Sequence, residues 1–248
     1  MMTQFRRFLF LGLISICGVV SAEEELPTLR ELYQSYIAAN GGLSKLRSVN
    51  SVQILATVTA VSGETLEMKT LVKRPAKVRN SMEFPNFTVD QAYNGKEGWM
   101  RVRPKNGKAQ FQELESEALQ SLIQSASVES VFARVGTRVD WVKVAAFESV
   151  KGKPAVRLEI DAKADCMYDT IWLSLDHFQE LKLQRTLSTA EGEKVETSYF
   201  SEFEQRDGLW LSFATEYYMD GVLSQTVKVR KTQINPGVFD SWFDKPEW

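Results

Sequence analysis

The sequence predicts a mainly β (α+β) protein: about ten or eleven antiparallel strands in one curled or closed sheet, with helices plugging whatever it leaves open. Three observations predict it. From Val52 onward, apolar residues alternate with polar ones over many short segments. Turn pairs such as Asn94-Gly95, Asn106-Gly107, Asp207-Gly208 and Asp220-Gly221 separate those segments at hairpin spacing, which makes neighbouring strands antiparallel. Two stretches carry apolar residues at helical spacing instead and are available to cover an open sheet.

The first residues set the compartment. Arg6 and Arg7 precede an apolar run from Phe8 to Val20, and Val20-Ser21-Ala22 offers the small residues that a signal peptidase reads. This order predicts a cleaved secretion signal over 1–22 and a single domain over 23–248, with a destination outside the cytoplasm. The run is about 13 residues long, whereas a membrane span needs roughly 20, so no stable transmembrane anchor is expected. Cys17 follows Ile16 rather than a small residue, which disfavours lipidation.

Leu26 to Val49 reads as helical. Thr28 follows Pro27 and precedes Glu31 by three positions, the capping-box pattern. Leu29, Leu32, Tyr33, Tyr36 and Ile37 form one apolar stripe, which Asn40-Gly41-Gly42 interrupts. The period then becomes two: Val52 to Val58, Leu66 to Val72, Lys77 to Phe84, Val89 to Tyr93 and Gly98 to Val102 read as strands. Glu113 to Ser130 lacks Gly and Pro and places Leu119, Leu122 and Ile123 at helical spacing, predicting one amphipathic helix. Strands resume from Trp141 and continue to Gln233. A sheet this long must curl or close to bury its apolar face, and a curled sheet stoppered by helices encloses an apolar space.

Charge and composition exclude several functions. Two of the 30 Lys+Arg and none of the 32 Asp+Glu lie in 1–22, so the remainder carries a net charge near −4. That balance argues against nucleic acid and supplies no polybasic patch for an anionic membrane. One cysteine, Cys166, and one histidine, His177, remain, too few and too far apart for a metal-ligand spacing. No Gly-rich phosphate loop and no local pair of acids stands out, so neither cofactor nor catalytic residue is assigned and no enzyme is expected. Phe84, Phe87, Trp99, Trp172, Tyr199, Phe203, Phe213 and Tyr217 all fall in strand-like segments. Singly they read as core; together they suit the lining of a lipid-sized pocket.

Several motifs carry a family resemblance. Val72-Lys73-Arg74-Pro75 ends an alternating strand, with Arg79 following; Tyr93-Asn94-Gly95-Lys96-Glu97-Gly98-Trp99 and Pro104 come some distance on. Asn40-Gly41-Gly42-Leu43, Asp207-Gly208-Leu209-Trp210-Leu211 and the tail from Ile234-Asn235-Pro236 to Phe243-Asp244-Lys245-Pro246 agree in order. The chain resembles the LolA/LppX-like superfamily of periplasmic outer-membrane lipoprotein-sorting and lipid-carrier proteins. The resemblance implies an unclosed barrel with helices in its mouth and a cavity for lipoprotein acyl chains or other lipids. It also implies inner-membrane donor and outer-membrane acceptor proteins as partners. In the lipoprotein-carrier branch the arginine of the Lys-Arg-Pro motif hydrogen-bonds the lid, and Arg74 holds that position here. Alternation places Leu66, Met68 and Val72 on the face Arg74 would share. A solvated Arg74 at a strand end is the other reading. The expected cavity and lid set is Leu66, Met68, Val72, Arg74, Phe84, Trp99, Leu119, Leu122, Ile123 and Phe213. The functional expectation is a periplasmic carrier or binding protein for acyl-chain lipids. The alternative is a non-catalytic cell-envelope interaction module of the same fold with a filled core.

Overall fold

The computed structural model describes residues 25–189 and 192–246. The expected signal at 1–22 lies outside the described residues. Two short helices open the fold, α1 (Leu29–Ala39) and α2 (Leu43–Ser48). Thr28 and Glu31 form the capping box at the start of α1. The chain then runs through β1 (Ser51–Ala60), β2 (Thr65–Lys73), β3 (Lys77–Glu83), β4 (Phe87–Tyr93), β5 (Gly98–Pro104) and β6 (Gln110–Leu114). Two further helices follow, α3 (Ser116–Ser125) and α4 (Val131–Val135). Seven strands complete the order: β7 (Val142–Val150), β8 (Lys153–Ile160), β9 (Thr170–Ser174), β10 (Glu180–Thr189), β11 (Gly192–Arg206), β12 (Leu209–Met219) and β13 (Val222–Ile234).

All thirteen strands lie in one sheet, ordered β6-β5-β4-β3-β2-β1-β13-β12-β11-β10-β9-β8-β7. Every pair is antiparallel. The two meanders join where the first strand meets the last, with Val52 opposite Ile234 and Val58 opposite Val227. β6 and β7 are left as free edges, so the sheet is an unclosed barrel. The strand count exceeds the expected ten or eleven. β6 is one source of the difference: the helix expected over Glu113 to Ser130 begins as the end of that strand. Leu114 pairs with Gly98 on β5, a tertiary contact that local periodicity cannot see.

The same stretch breaks again after α3. Ser127 Oγ accepts from the Glu129 N–H (3.0 Å) and Ser130 Oγ from the Ala133 N–H (3.2 Å), so serine side chains replace the helical ladder and start α4 afresh. One expected helix is thus a strand end, one helix and a connecting segment, 126–130, that leads into α4.

Period-two register gives the sheet an inner face, covered by helices, and an outer one. Leu71 and Trp99 face outward, under the C-terminal tail: Leu71 packs with Val238 and Phe243, and the Trp99 indole N–H donates to the Phe243 carbonyl (2.9 Å). Asp90 anchors the outer surface of β3–β5, accepting from Ser81 (2.6 Å), Arg79 (3.0 Å) and Arg101 (2.6 Å). Desolvation pushes its carboxyl up, but those hydrogen bonds outweigh it and the net shift is downward.

The inner face is filled on both flanks. On one, Leu32 and Tyr36 of α1 and Phe132 and Val135 of α4 pack on Leu158, Ile171 and Leu173. On the other, Leu122 and Ala126, joined by Leu119, pack on Val72, Val78 and Leu114. Gly98 allows α3 this approach, since a Cβ there would stand 2.6 Å from Leu119 Cδ1.

Candidate functional site

Between the filled flanks the inner face is open. A cavity of about 510 Å³ lies between α1–α2 and α4, and a second of about 340 Å³ lies below the 126–130 segment, above β1, β11, β12 and β13. Both are bounded by Val52, Val128, Glu129, Ser130, Trp210 and Leu211, so they adjoin as one groove. Ile54, Val72, Phe200 and Val229 supply apolar side chains to the smaller part. The 126–130 segment and α4 form the roof.

Arg74 holds that roof. Its Nε donates to the Val49 carbonyl at the end of α2 (2.8 Å), and its Nη2 pairs with Glu129 Oε1 (2.8 Å). The Val49 carbonyl is the terminal acceptor that a helix end leaves orphaned. Arg74 and Glu129 keep 32% and 37% of their side-chain surface exposed, which limits the pair to a modest strength. The Ser130 hydroxyl donates to Tyr36 Oη (3.2 Å), tying the same segment to α1. Desolvation drives the Tyr36 phenol up to about 12. Below α4, Glu180 accepts from the Phe132 N–H (2.5 Å), and burial raises its carboxyl above the ordinary range.

The structure disperses the set expected from sequence. Val72 lines the smaller cavity, and Arg74 ties down the wall that both cavities share. Leu66 and Met68 face inward but pack with Ile54, Val58 and Val229 rather than lining the groove. Leu119 and Leu122 serve the α3 flank, and Ile123 is half-buried beside them. Trp99 lies on the opposite face of the sheet, because register pairs it with Ala92 in the outward row. Phe84 stacks on Phe87 at the β3–β4 turn, ring centroids 4.5 Å apart. Phe213 is half-buried beneath the Arg206 guanidinium, 5.7 Å from its ring centre.

Val128, Glu129, Trp210 and Leu211 define the groove, and the sequence reading did not single them out as site residues. Trp210 and Leu211 belong to the Asp207-Gly208-Leu209-Trp210-Leu211 motif, the one signal that could have found them. Trp210 also stacks on His177, centroids 4.1 Å apart. Among the described residues no group of three or more His, Cys, Asp or Glu is placed to hold a metal ion. No helix among them is long and apolar enough to cross a membrane.

An unclosed antiparallel sheet with helices lying across its inner face and a groove beneath them defines a half-barrel. Two solved structures share the architecture, and a third aligns less closely. A DUF1329 family protein from Desulfovibrio piger aligns with a TM-score of 0.55 at 11% identity, over 87% of this chain and 97% of that one. A LolA superfamily protein from Nitrosomonas europaea aligns at 0.52 and 13% identity, over 88% and 98%. A putative outer membrane lipoprotein-sorting protein domain from Vibrio parahaemolyticus gives 0.49 and 14%, over 88% and 96%. No family model matches the sequence, and no curated protein matches it. The chain has a LolA-like fold.

Proposed function

We propose that this chain is a periplasmic, non-catalytic carrier or binding protein for acyl-chain lipids, lipoprotein acyl chains among them. The observation that carries the reading is the groove: two adjoining cavities of about 510 and 340 Å³ under a roof held by few polar contacts. Ligand sites commonly occupy about 300–1,000 Å³ and are mostly apolar. Each methylene moved from water into such a site contributes about 0.8 kcal/mol, so one chain suffices for useful affinity. In this reading the 126–130 segment with α4 is the lid, rather than a single helix over Glu113 to Ser130. Opening it would break the Arg74–Glu129 pair, the Ser130–Tyr36 bond and the Phe132–Glu180 bond, while α3 stays seated on its flank. An inner-membrane donor and an outer-membrane acceptor would load and unload the groove.

Native mass spectrometry after gentle extraction tests the proposal. The expected result is a bound lipid or lipoprotein fragment; repeated preparations free of any adduct would sink it. The filled flanks favour a second reading, an envelope interaction module whose remaining groove takes no ligand. Affinity capture in the presence and absence of lipid separates the two, because only a carrier's partners should depend on cargo.

A further inference from the structure

The charges around the groove are unevenly distributed. Arg47, Arg134 and Arg138 all line the larger cavity, and Glu129 is the one acid that does so among the described residues. Glu129 is already engaged by Arg74 at 2.8 Å. None of the three arginines forms an ion pair within the described residues. Arg138 donates to the Ala164 carbonyl and lies over the Trp141 ring at 5.4 Å, and Arg134 Nη1 donates to Gln124 (3.2 Å); these partners are neutral. Arg134 Nε is buried with no acceptor at all. The Nη1 groups of Arg134 and Arg138 thus meet neutral acceptors, and a guanidinium bonds an anion more strongly than a neutral group.

One other acid lies close. Glu180 feels the Arg134 charge from beneath α4, but its oxygen is taken by the Phe132 N–H, and desolvation favours its neutral form. Glu180 borders the smaller, more apolar cavity rather than the arginine-lined one. The groove is therefore amphipathic along its length. Its apolar part suits a hydrocarbon tail, and its arginine-lined part suits a negative group one head away. Arg47 is exposed at the solvent side and Arg134 and Arg138 are half-buried, an arrangement in which an incoming anion meets a free arginine first.

We propose that Arg47, Arg134 and Arg138 form an anionic head-group site, so that the groove selects amphiphiles with a phosphate or carboxylate head over neutral ones of equal chain length. This rests on the acyl-chain reading above, which supplies the tail. Guanidinium groups match phosphate and carboxylate geometry, so both heads belong to the class.

Calorimetric titration of the full chain with dodecyl phosphate, dodecanoate, dodecanol and inorganic phosphate tests it. The two anionic amphiphiles should bind about tenfold tighter than dodecanol at low salt, and the gap should narrow as ionic strength rises. Arg47→Gln, at an exposed position, and Arg134→Gln should each reduce the gap, by weakening the anionic amphiphiles more than dodecanol. Equal affinity for all three amphiphiles, or an undiminished preference in both variants, would overturn the head-group site and leave the acyl-chain reading intact. Inorganic phosphate binding as tightly as dodecyl phosphate would overturn it in favour of a free-anion site. Binding of no amphiphile would instead remove the acyl-chain reading on which it stands.

Discussion

Arg74 carries more structure than its exposure suggests. It joins the end of α2 and the roof segment through separate donors, 2.8 Å to each acceptor. Because the pair is about one-third exposed, screening keeps its worth small. A double-mutant cycle of Arg74→Leu and Glu129→Gln, read by urea unfolding, should give a coupling of about 0.5–1 kcal/mol. A coupling indistinguishable from zero would remove the Glu129 tie and leave Arg74 joined to the end of α2 alone. Glu180 makes a pH prediction at the same scale. Its carboxyl is raised in the folded chain and returns near its ordinary 4.5 on unfolding, so the folded state holds the proton longer. The stability it contributes is complete below that value and is lost as pH rises through the folded one. Glu180→Gln cannot titrate, so its urea midpoint should decline less than wild type between mildly acidic and neutral pH; parallel profiles would contradict this.

At the scale of elements, close packing decides where the helices sit. Gly136, which ends α4, has an ordinary φ, so alanine there would normally add about 0.4–1 kcal/mol of stability. Here a Cβ would lie 2.5 Å from Tyr33 Cδ2 and 2.9 Å from the Phe132 carbonyl oxygen. Backbone cannot yield as a side-chain tip does, and overpacking of this kind costs about 1–3 kcal/mol. Gly136→Ala should therefore be destabilising in thermal or urea unfolding. Gly237→Ala, which meets nothing within 4 Å, provides the control and should be near neutral. The Glu113–Ser130 stretch marks how far an element is legible locally. Its helical spacing was real over α3, yet Leu114 answered to β5 and Ser127 and Ser130 to the backbone. Short-range pattern reports propensity, whereas strand pairing and side-chain capping settle the boundaries.

For the whole molecule, the tail covers part of the outer face as the helices cover the flanks of the inner one. Phe243 is fully buried, packing with Leu71 and Val238, and its carbonyl accepts the Trp99 indole N–H (2.9 Å). Phe243→Ala should cost about 3–5 kcal/mol and expose Trp99, seen as a red-shifted emission with a lowered unfolding midpoint. A near-silent substitution would mean that the tail merely lies on the sheet. The sequence by itself determined the antiparallel sheet, the capped first helix and the turn positions, because alternation, capping and turn chemistry act within a few residues. Only the tertiary structure decided which face Trp99 took, where the expected long helix broke, and that Val128, Glu129, Trp210 and Leu211 meet around one groove. Those outcomes depend on register and on contacts between segments far apart in the chain, and a period of two says that residues share a face without saying which face is covered.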